Sequence, residues 1–270
     1  MTPRRPGADP SRERAADTNS LEGALQRFAA TRPRLVVLDF DGTLAPLVDD
    51  PATSRMTPLA RTALRSLVAA PDVTVALLSG RAMADLRSVA QPPPGIVLVA
   101  SHGAEVEGAA DAVQGPTREL LSRVRGELEQ LAAEHPGTRV EVKPAGVVLH
   151  TRQAAPDTAA SATSSALDGP GSHEGVTAMR GKDVVELSVV DTDKGSAIEL
   201  LREQTGAAAV LFAGDDVTDE HAFARLWPAN GDIGIKVGDG ETAAGFRVGS
   251  CDEMASLLDD LVDLLSRPRP

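Results

Sequence analysis

Short, unbroken apolar runs separated by helix-length segments set the strongest limit on how this chain folds. Residues 35–40, Val73–Leu78 and 96–100 are continuous and rich in Val, Leu and Ile. Runs of this kind suit strands buried on both faces. Helical patterns follow at 58–70 and Met83–Ala90, and another, short and amphipathic, runs from Leu21 toward Pro33. Apolar runs return at 210–213 and Ile233–Val237, with a helical stretch at 217–226 between them. Such alternation predicts a parallel sheet with right-handed crossovers.

The middle of the chain follows another rhythm. Pro116–Glu134 reads as one long helix, with Leu120, Leu121, Val124, Leu128 and Leu131 at helical spacing. Residues 138–143 and 147–152 alternate polar and apolar around a Pro144-Ala145-Gly146 turn; a small-residue helix at 157–167 and an alternating strand at 183–189 follow. Alternation means that one sheet face is left outside a core. The chain therefore divides into a tail at 1–18 with no hydrophobic period, a parallel α/β unit from 19–106 and 190–270, and an inserted α+β module at 107–189.

Composition narrows the partners. Over 270 residues, 27 basic against 39 acidic residues give a net charge of −12, which argues against a broad grip on nucleic acid or an anionic membrane. Aromatics are 2 % and Tyr is absent, so a stacking platform for single strands has little to build on. Cys251 is the single cysteine, which excludes an intrachain disulfide and a cysteine zinc cage. No apolar run reaches the ~20 residues of a membrane span, and the first residues hold no signal-peptide core. The expectation is a soluble, cytoplasmic monomer acting on a small molecule.

Chemistry gathers at the strand ends. The first run ends in Asp39-Phe40-Asp41-Gly42-Thr43, with two carboxylates where open α/β sheets bind ligands and a glycine that lets the chain turn toward an anion. The second ends in Ser79-Gly80-Arg81, a hydroxyl that also suits a helix cap. Lys194 opens the helix after the module; it is one of four lysines in a chain that elsewhere uses arginine. The fourth run ends in GDDVTDE (214–220), four acids in six residues, which repel one another unless a cation neutralises them. Oxygen donors completed by water and phosphate suit Mg²⁺. A carboxylate nucleophile, a neighbouring acid, a hydroxyl, an ammonium and a hard cation together suit phosphoryl transfer through an aspartyl phosphate.

These four segments, in this order, resemble the four motifs of the haloacid dehalogenase (HAD) superfamily of phosphatases. The resemblance implies an α/β fold: a HAD-like Rossmannoid core with a parallel sheet, plus an inserted α+β cap. It implies Asp39 as nucleophile, Asp41 as general acid and base, and Ser79 and Lys194 as holders of the phosphoryl group. Asp39, Asp41 (through its carbonyl) and Asp215 would bind Mg²⁺, with Asp216 and Asp219 behind them or on the metal. Within that superfamily the chain is similar to trehalose-6-phosphate phosphatases at LDFDGTLAPL, Ser79-Gly80-Arg81, Ser101-His102-Gly103-Ala104-Glu105, Glu141-Val142-Lys143, His150-Thr151-Arg152, Gly181-Lys182, Glu186, GDDVTDE, and Val237-Gly238 through Thr242-Ala243-Ala244. It departs after Glu186, where Leu187-Ser188-Val189-Val190 stands in place of an Arg-Pro continuation.

Strand alternation puts Glu141 and Lys143 on one face and turns Glu186 away from Val185, Leu187 and Val189. An acid–lysine–acid face suits sugar hydroxyls, though it also suits a solvated sheet surface. With the resemblance, Glu141, Lys143 and Glu186 are expected to grip the distal glucose, and Arg81 to contact substrate. Gly42, His102, His150 and Arg152 are further candidates; His102 reads as a structural residue of the loop or cap hinge, His150 and Arg152 as sharing a strand face. Trp227 and Cys251 read as packing residues. The expected reaction is Mg²⁺-dependent hydrolysis of trehalose 6-phosphate; the alternatives are another capped sugar-phosphate phosphatase, for sucrose or mannosylglycerate phosphate, and a catalytically silent sugar-phosphate-binding module.

Overall fold

The computed structural model describes residues 20–108 and 113–267; the tail expected at 1–18 lies outside them. In chain order the elements are α1 (Leu21–Ala30), β1 (Arg34–Leu38), α2 (Pro58–Ala69), β2 (Val73–Leu78), α3 (Met83–Ala90), β3 (Val97–Ala100) and β4 (Glu105–Val106). Then come α4 (Pro116–Glu134), β5 (Arg139–Lys143), β6 (Gly146–His150), α5 (Pro156–Asp168), β7 (Thr177–Gly181) and β8 (Val184–Ser188). The chain finishes with α6 (Lys194–Thr205), β9 (Ala209–Gly214), α7 (Glu220–Phe223), β10 (Ile233–Val237), β11 (Phe246–Val248) and α8 (Cys251–Ser266).

Two sheets result. The larger runs β11-β10-β9-β1-β2-β3-β4 and is parallel except for the β3–β4 edge pair. The smaller is antiparallel, in the order β5-β6-β8-β7. β1 lies at the centre of the large sheet with every residue buried, which explains its lack of alternation. Val36 and Leu38 pack on one side with Leu64 and Leu67 of α2 and Leu258 of α8; Leu35 and Val37 pack on the other with Ile198 and Leu201 of α6. The small sheet has its own core, where Val147, Leu149, Val185 and Leu187 meet Val124, Leu128 and Leu131 of α4 and Ala162 and Ala166 of α5.

The chain leaves β1 for β2 on one side and reaches β9 on the other. The carboxyl ends of β1 and β9 therefore flank a switch point, where open α/β sheets place their ligands. Expected elements differ in detail. The helical stretch at 217–226 is a 3-10 turn at Val217–Asp219 followed by the short α7. β6 stops at His150, so Arg152 sits exposed in the turn beyond it rather than beside His150 on a strand face. Trp227 is 49 % exposed, with the Arg202 guanidinium 4.5 Å from its ring centre, so it is a half-open stack rather than a core residue.

One buried arginine ties the sheet to α1. Arg34, 2 % exposed at the start of β1, donates through Nε to the carbonyl of Phe28 (3.2 Å) and through Nη2 to that of Ala29 (2.6 Å). Nη1 donates to the carbonyl of Pro71 (3.2 Å). A cation at the last carbonyls of a helix satisfies acceptors that the helix cannot. Arg34→Met is expected to destabilise the fold by roughly 2–4 kcal/mol in chemical denaturation, because the Ala29 and Pro71 carbonyls lose a charged donor, while Phe28 keeps the Thr31 N–H.

Candidate active site

β1 ends one residue before Asp39, whose N–H still donates to Ala213 of β9 at 2.9 Å. This fixes the backbone of Asp39 while its side chain stands at the sheet's end, 4 % exposed. Lys194 Nζ donates to Asp39 Oδ1 at 2.7 Å and to Asp219 Oδ1 at 2.6 Å. Lys194 is 3 % exposed and Asp219 is fully buried. The first turn of α6 sets the lysine's position through a reciprocal cap: Ser196 N–H donates to Asp193 Oδ1, and Asp193 N–H reaches the Ser196 hydroxyl.

Close approach of the two strand-end loops depends on glycine. Gly42 has φ +76°, and a Cβ there would lie 2.0 Å from Asp215 Oδ2. A Cβ on Gly214 would lie 2.3 Å from the Asp219 carboxyl carbon. Asp219 Oδ2 in turn accepts from the Asp216 N–H at 2.8 Å, closing the GDDVTDE turn. Asp216 caps this turn through its own Oδ1 and stays at the cleft edge. Lys236 of β10, a lysine inside an apolar run, is 4 % exposed and donates to the Asp215 carbonyl at 2.5 Å. The sequence carried that signal in Ile233–Val237, yet gave no hint of its partner.

Charge is not balanced here. One oxygen each of Asp39, Asp215 and Asp219 lie within 4.8 Å of one another, and Asp215 Oδ1 is buried with no hydrogen-bond partner. Burial pushes Asp39 up to about 8, opposed by Lys194 and reinforced by Asp219 and Asp215. Burial and the neighbouring Asp219 raise Asp215 to about 6. Burial works against the Lys194 charge, but Asp39 and Asp219 outweigh it and hold the ammonium protonated. Hard oxygen donors with unmet negative charge and one unpartnered atom fit a divalent cation such as Mg²⁺. The Asp41 carboxylate is not in this cluster.

Asp41 is held instead by Arg81. Arg81 Nε donates to Asp41 Oδ2 at 2.5 Å and Nη2 to Oδ1 at 2.8 Å, while the Ser54 hydroxyl donates to Oδ1 at 2.8 Å. Arg81 also reaches Asp85 (2.6 Å) and the Pro51 carbonyl (2.9 Å), and these contacts raise its pKa, chiefly the bond to Asp41. A guanidinium so held orients Asp41 through a fork of charged hydrogen bonds, and Arg81 itself lines the cleft. Ser79, 2 % exposed, accepts the Arg81 N–H through its hydroxyl at 3.2 Å and does not cap α3; Glu105 Oε1 accepts the first N–H of that helix, from Met83, at 3.1 Å.

A cleft of about 750 Å³ joins these groups to the small sheet. Asp39, Asp41, Ser79, Lys194 and Asp215 line one side; Glu141, Lys143, His150 and Glu186 line the other. In the antiparallel register Glu141 stands opposite Val148, and Val148 opposite Glu186, so all three share the face turned from the α4–α5 core. Lys143 Nζ pairs with Glu186 Oε1 at 2.8 Å, and His150 Nε2 with Glu141 Oε2 at 2.8 Å. His102 also lines the cleft, whereas Arg152 does not. Cys251 is half-buried and its thiol donates to the Gly42 carbonyl at 3.1 Å, bracing the loop after Asp41.

With this geometry in view, the comparisons with known proteins agree on one family. The trehalose-phosphatase family model matches residues 37–248. A trehalose-phosphate phosphatase of Mycobacterium avium is 34 % identical, over 93 % of this chain and 67 % of the relative. One from Mycobacterium marinum is 36 % identical, over 96 % of this chain and 70 % of that protein. Among solved structures, the C-terminal domain of the Candida albicans trehalose-6-phosphate phosphatase superposes with a TM-score of 0.73 at 22 % identity, covering 90 % of this chain and 96 % of that one. That likeness extends to the fold, a parallel α/β core with a second, antiparallel sheet. The chain belongs to the trehalose-phosphatase family.

Proposed function

We propose that this protein hydrolyses trehalose 6-phosphate to trehalose and inorganic phosphate, with residues 107–189 as the cap that holds the sugar. The observation that carries the reading is the Asp39 carboxylate, buried and oriented by Lys194 at the floor of a cleft whose opposite wall is an acid–lysine–acid face. Asp39 attacks phosphorus and forms a new P–O bond while the bond to the sugar oxygen breaks. Asp41, first protonated from solvent, gives that proton to the departing oxygen; it then takes one from the water that attacks the aspartyl phosphate, so that Asp39 and phosphate are released and the proton on Asp41 is restored. Lys194 and the Ser79 hydroxyl receive the phosphoryl oxygens.

Asp39, Asp215 and Asp219, with the Asp41 carbonyl, would hold Mg²⁺. Bound there, Mg²⁺ offsets the repulsion between a carboxylate nucleophile and an anionic ester. On the cap, Glu141, Lys143 and Glu186 offer acceptors and a donor to the distal glucose, and His150 orients Glu141. The proposal has the enzyme acting as a cytoplasmic monomer on a free sugar ester. Among the described residues no helix is long and apolar enough to cross a membrane.

Phosphate release from trehalose 6-phosphate, sucrose 6-phosphate and glucose 6-phosphate, with Mg²⁺ and with chelator, tests the reading. Preference for the trehalose ester that disappears with chelator is expected; preference for another ester would keep the chemistry and replace the substrate, and no release from any would leave a binding module. A second expectation concerns Arg81. Removing the clamp in Arg81→Met frees Asp41 to wander, so kcat should fall by about tenfold to a hundredfold with KM little changed. A rise in KM alone would make Arg81 a direct substrate contact instead.

A further inference from the structure

The loop after β3 holds its backbone in an unusual state. Ser101 and His102 have φ of +49° and +55°, followed by Gly103 at +112°. Left-handed backbone at consecutive non-glycine residues is unfavourable and persists only where surroundings enforce it. They do so here. Ser101 N–H donates to the Arg81 carbonyl at 2.7 Å and its hydroxyl to Glu105 Oε1 at 2.7 Å. His102 N–H donates to the Ser79 carbonyl at 3.0 Å. Gly103 lies against the start of α6, where a Cβ would be 3.1 Å from Ala197 and 3.2 Å from the Asp193 carbonyl.

This enforcement places an imidazole in the cleft rather than in a core. The ring lies over Gly80, where a Cβ would come within 2.5 Å of its Cε1 and Nε2. It lines the cleft, and no side-chain hydrogen bond to it is made among the described residues. A histidine kept for structure usually has at least one ring nitrogen satisfied. Its charged neighbours belong to both walls: Glu186 and Lys143 on the cap, Lys194 and Asp219 on the core, and burial holds it below the ordinary histidine range. A neutral imidazole donates at one nitrogen and accepts at the other, which matches a sugar hydroxyl.

We propose that His102 is a specificity-determining substrate contact, whose imidazole hydrogen-bonds the sugar ring bearing the phosphate, between the phosphoryl site at Ser79 and Lys194 and the cap face at Glu141 and Glu186. The proposal rests on the sugar-phosphatase reading above. It gives the strained loop a purpose: the same segment that zips onto the phosphoryl-binding turn also reads the first ring of the ester. It divides recognition into three stations, with His102 at the junction.

The test compares kcat/KM for trehalose 6-phosphate, sucrose 6-phosphate and p-nitrophenyl phosphate in the full-length wild type, His102→Leu and His102→Asn. Asn tolerates left-handed backbone and keeps a polar amide, so it guards against a folding failure, and thermal melting is followed for both variants. The preference for the best sugar ester over the aryl ester should fall about tenfold or more in His102→Leu, with part of it returned in His102→Asn. An equal loss on sugar and aryl esters would make His102 a prop for Ser79 and overturn the proposal, as would no loss on either. If the wild type prefers another sugar ester, the trehalose reading fails while the His102 ratio is still judged on that ester. A wild type with no preference for any sugar ester over the aryl one would overturn both.

Discussion

Everything at the centre of this protein leans on one buried ammonium. Lys194 stands between Asp39 and Asp219, and none of the three has appreciable contact with water. Removing a charge from such a cluster leaves its partners buried without compensation, which is strongly destabilising. The cluster therefore fixes more than charge. It joins the end of β1, the start of α6 and the turn after β9, three segments far apart in sequence, at one point. Two glycines allow that meeting, because Gly42 and Gly214 leave no Cβ where the Asp215 and Asp219 carboxylates must pass.

A single lysine does not finish the job. Three carboxylates share the space around it, and Asp215 keeps a buried oxygen without a partner. The site is thus built with a deficit of positive charge, and a hard cation is the economical way to remove it. The second carboxylate of the DxD sequence is treated differently. Arg81 and Ser54 hold Asp41 apart from the cluster, so two acids two residues apart occupy distinct environments: one against an ammonium in the dry interior, the other in a guanidinium fork at the cleft wall.

Much of this was legible in the sequence, for identifiable reasons. Strands buried on both faces advertise themselves as apolar runs, so β1 and β9 stand out, and the acids beyond them stand out by contrast. Alternation in β5 and β8 exposed the polar face that carries Glu141, Lys143 and Glu186, whereas β6, expected to alternate, is buried from Gly146 through Leu149. Other elements send weaker signals. β7 is exposed along its whole length, and β4 and β11 hold only two and three residues, too short for any period. Helix α8 repeats Met254, Leu257, Leu258 and Leu261 at helical spacing, yet only the fold reveals that its first residue braces Gly42. Side-chain direction was the least legible. Nothing local says that Arg81 turns to Asp41 or that Lys236 reaches the Asp215 carbonyl, because both partners arrive from other strands. The left-handed pair Ser101-His102 is a tertiary imposition, invisible to residue preference.

The account stands on Asp39 as the atom that takes the phosphoryl group. Acid-quenched turnover of trehalose 6-phosphate, followed by peptide mass spectrometry, tests this directly. The account predicts a phosphoryl group on the peptide containing Asp39, absent in Asp39→Asn. Full turnover with no phosphoryl group trapped at any quench time, together with activity retained by Asp39→Asn, would contradict it.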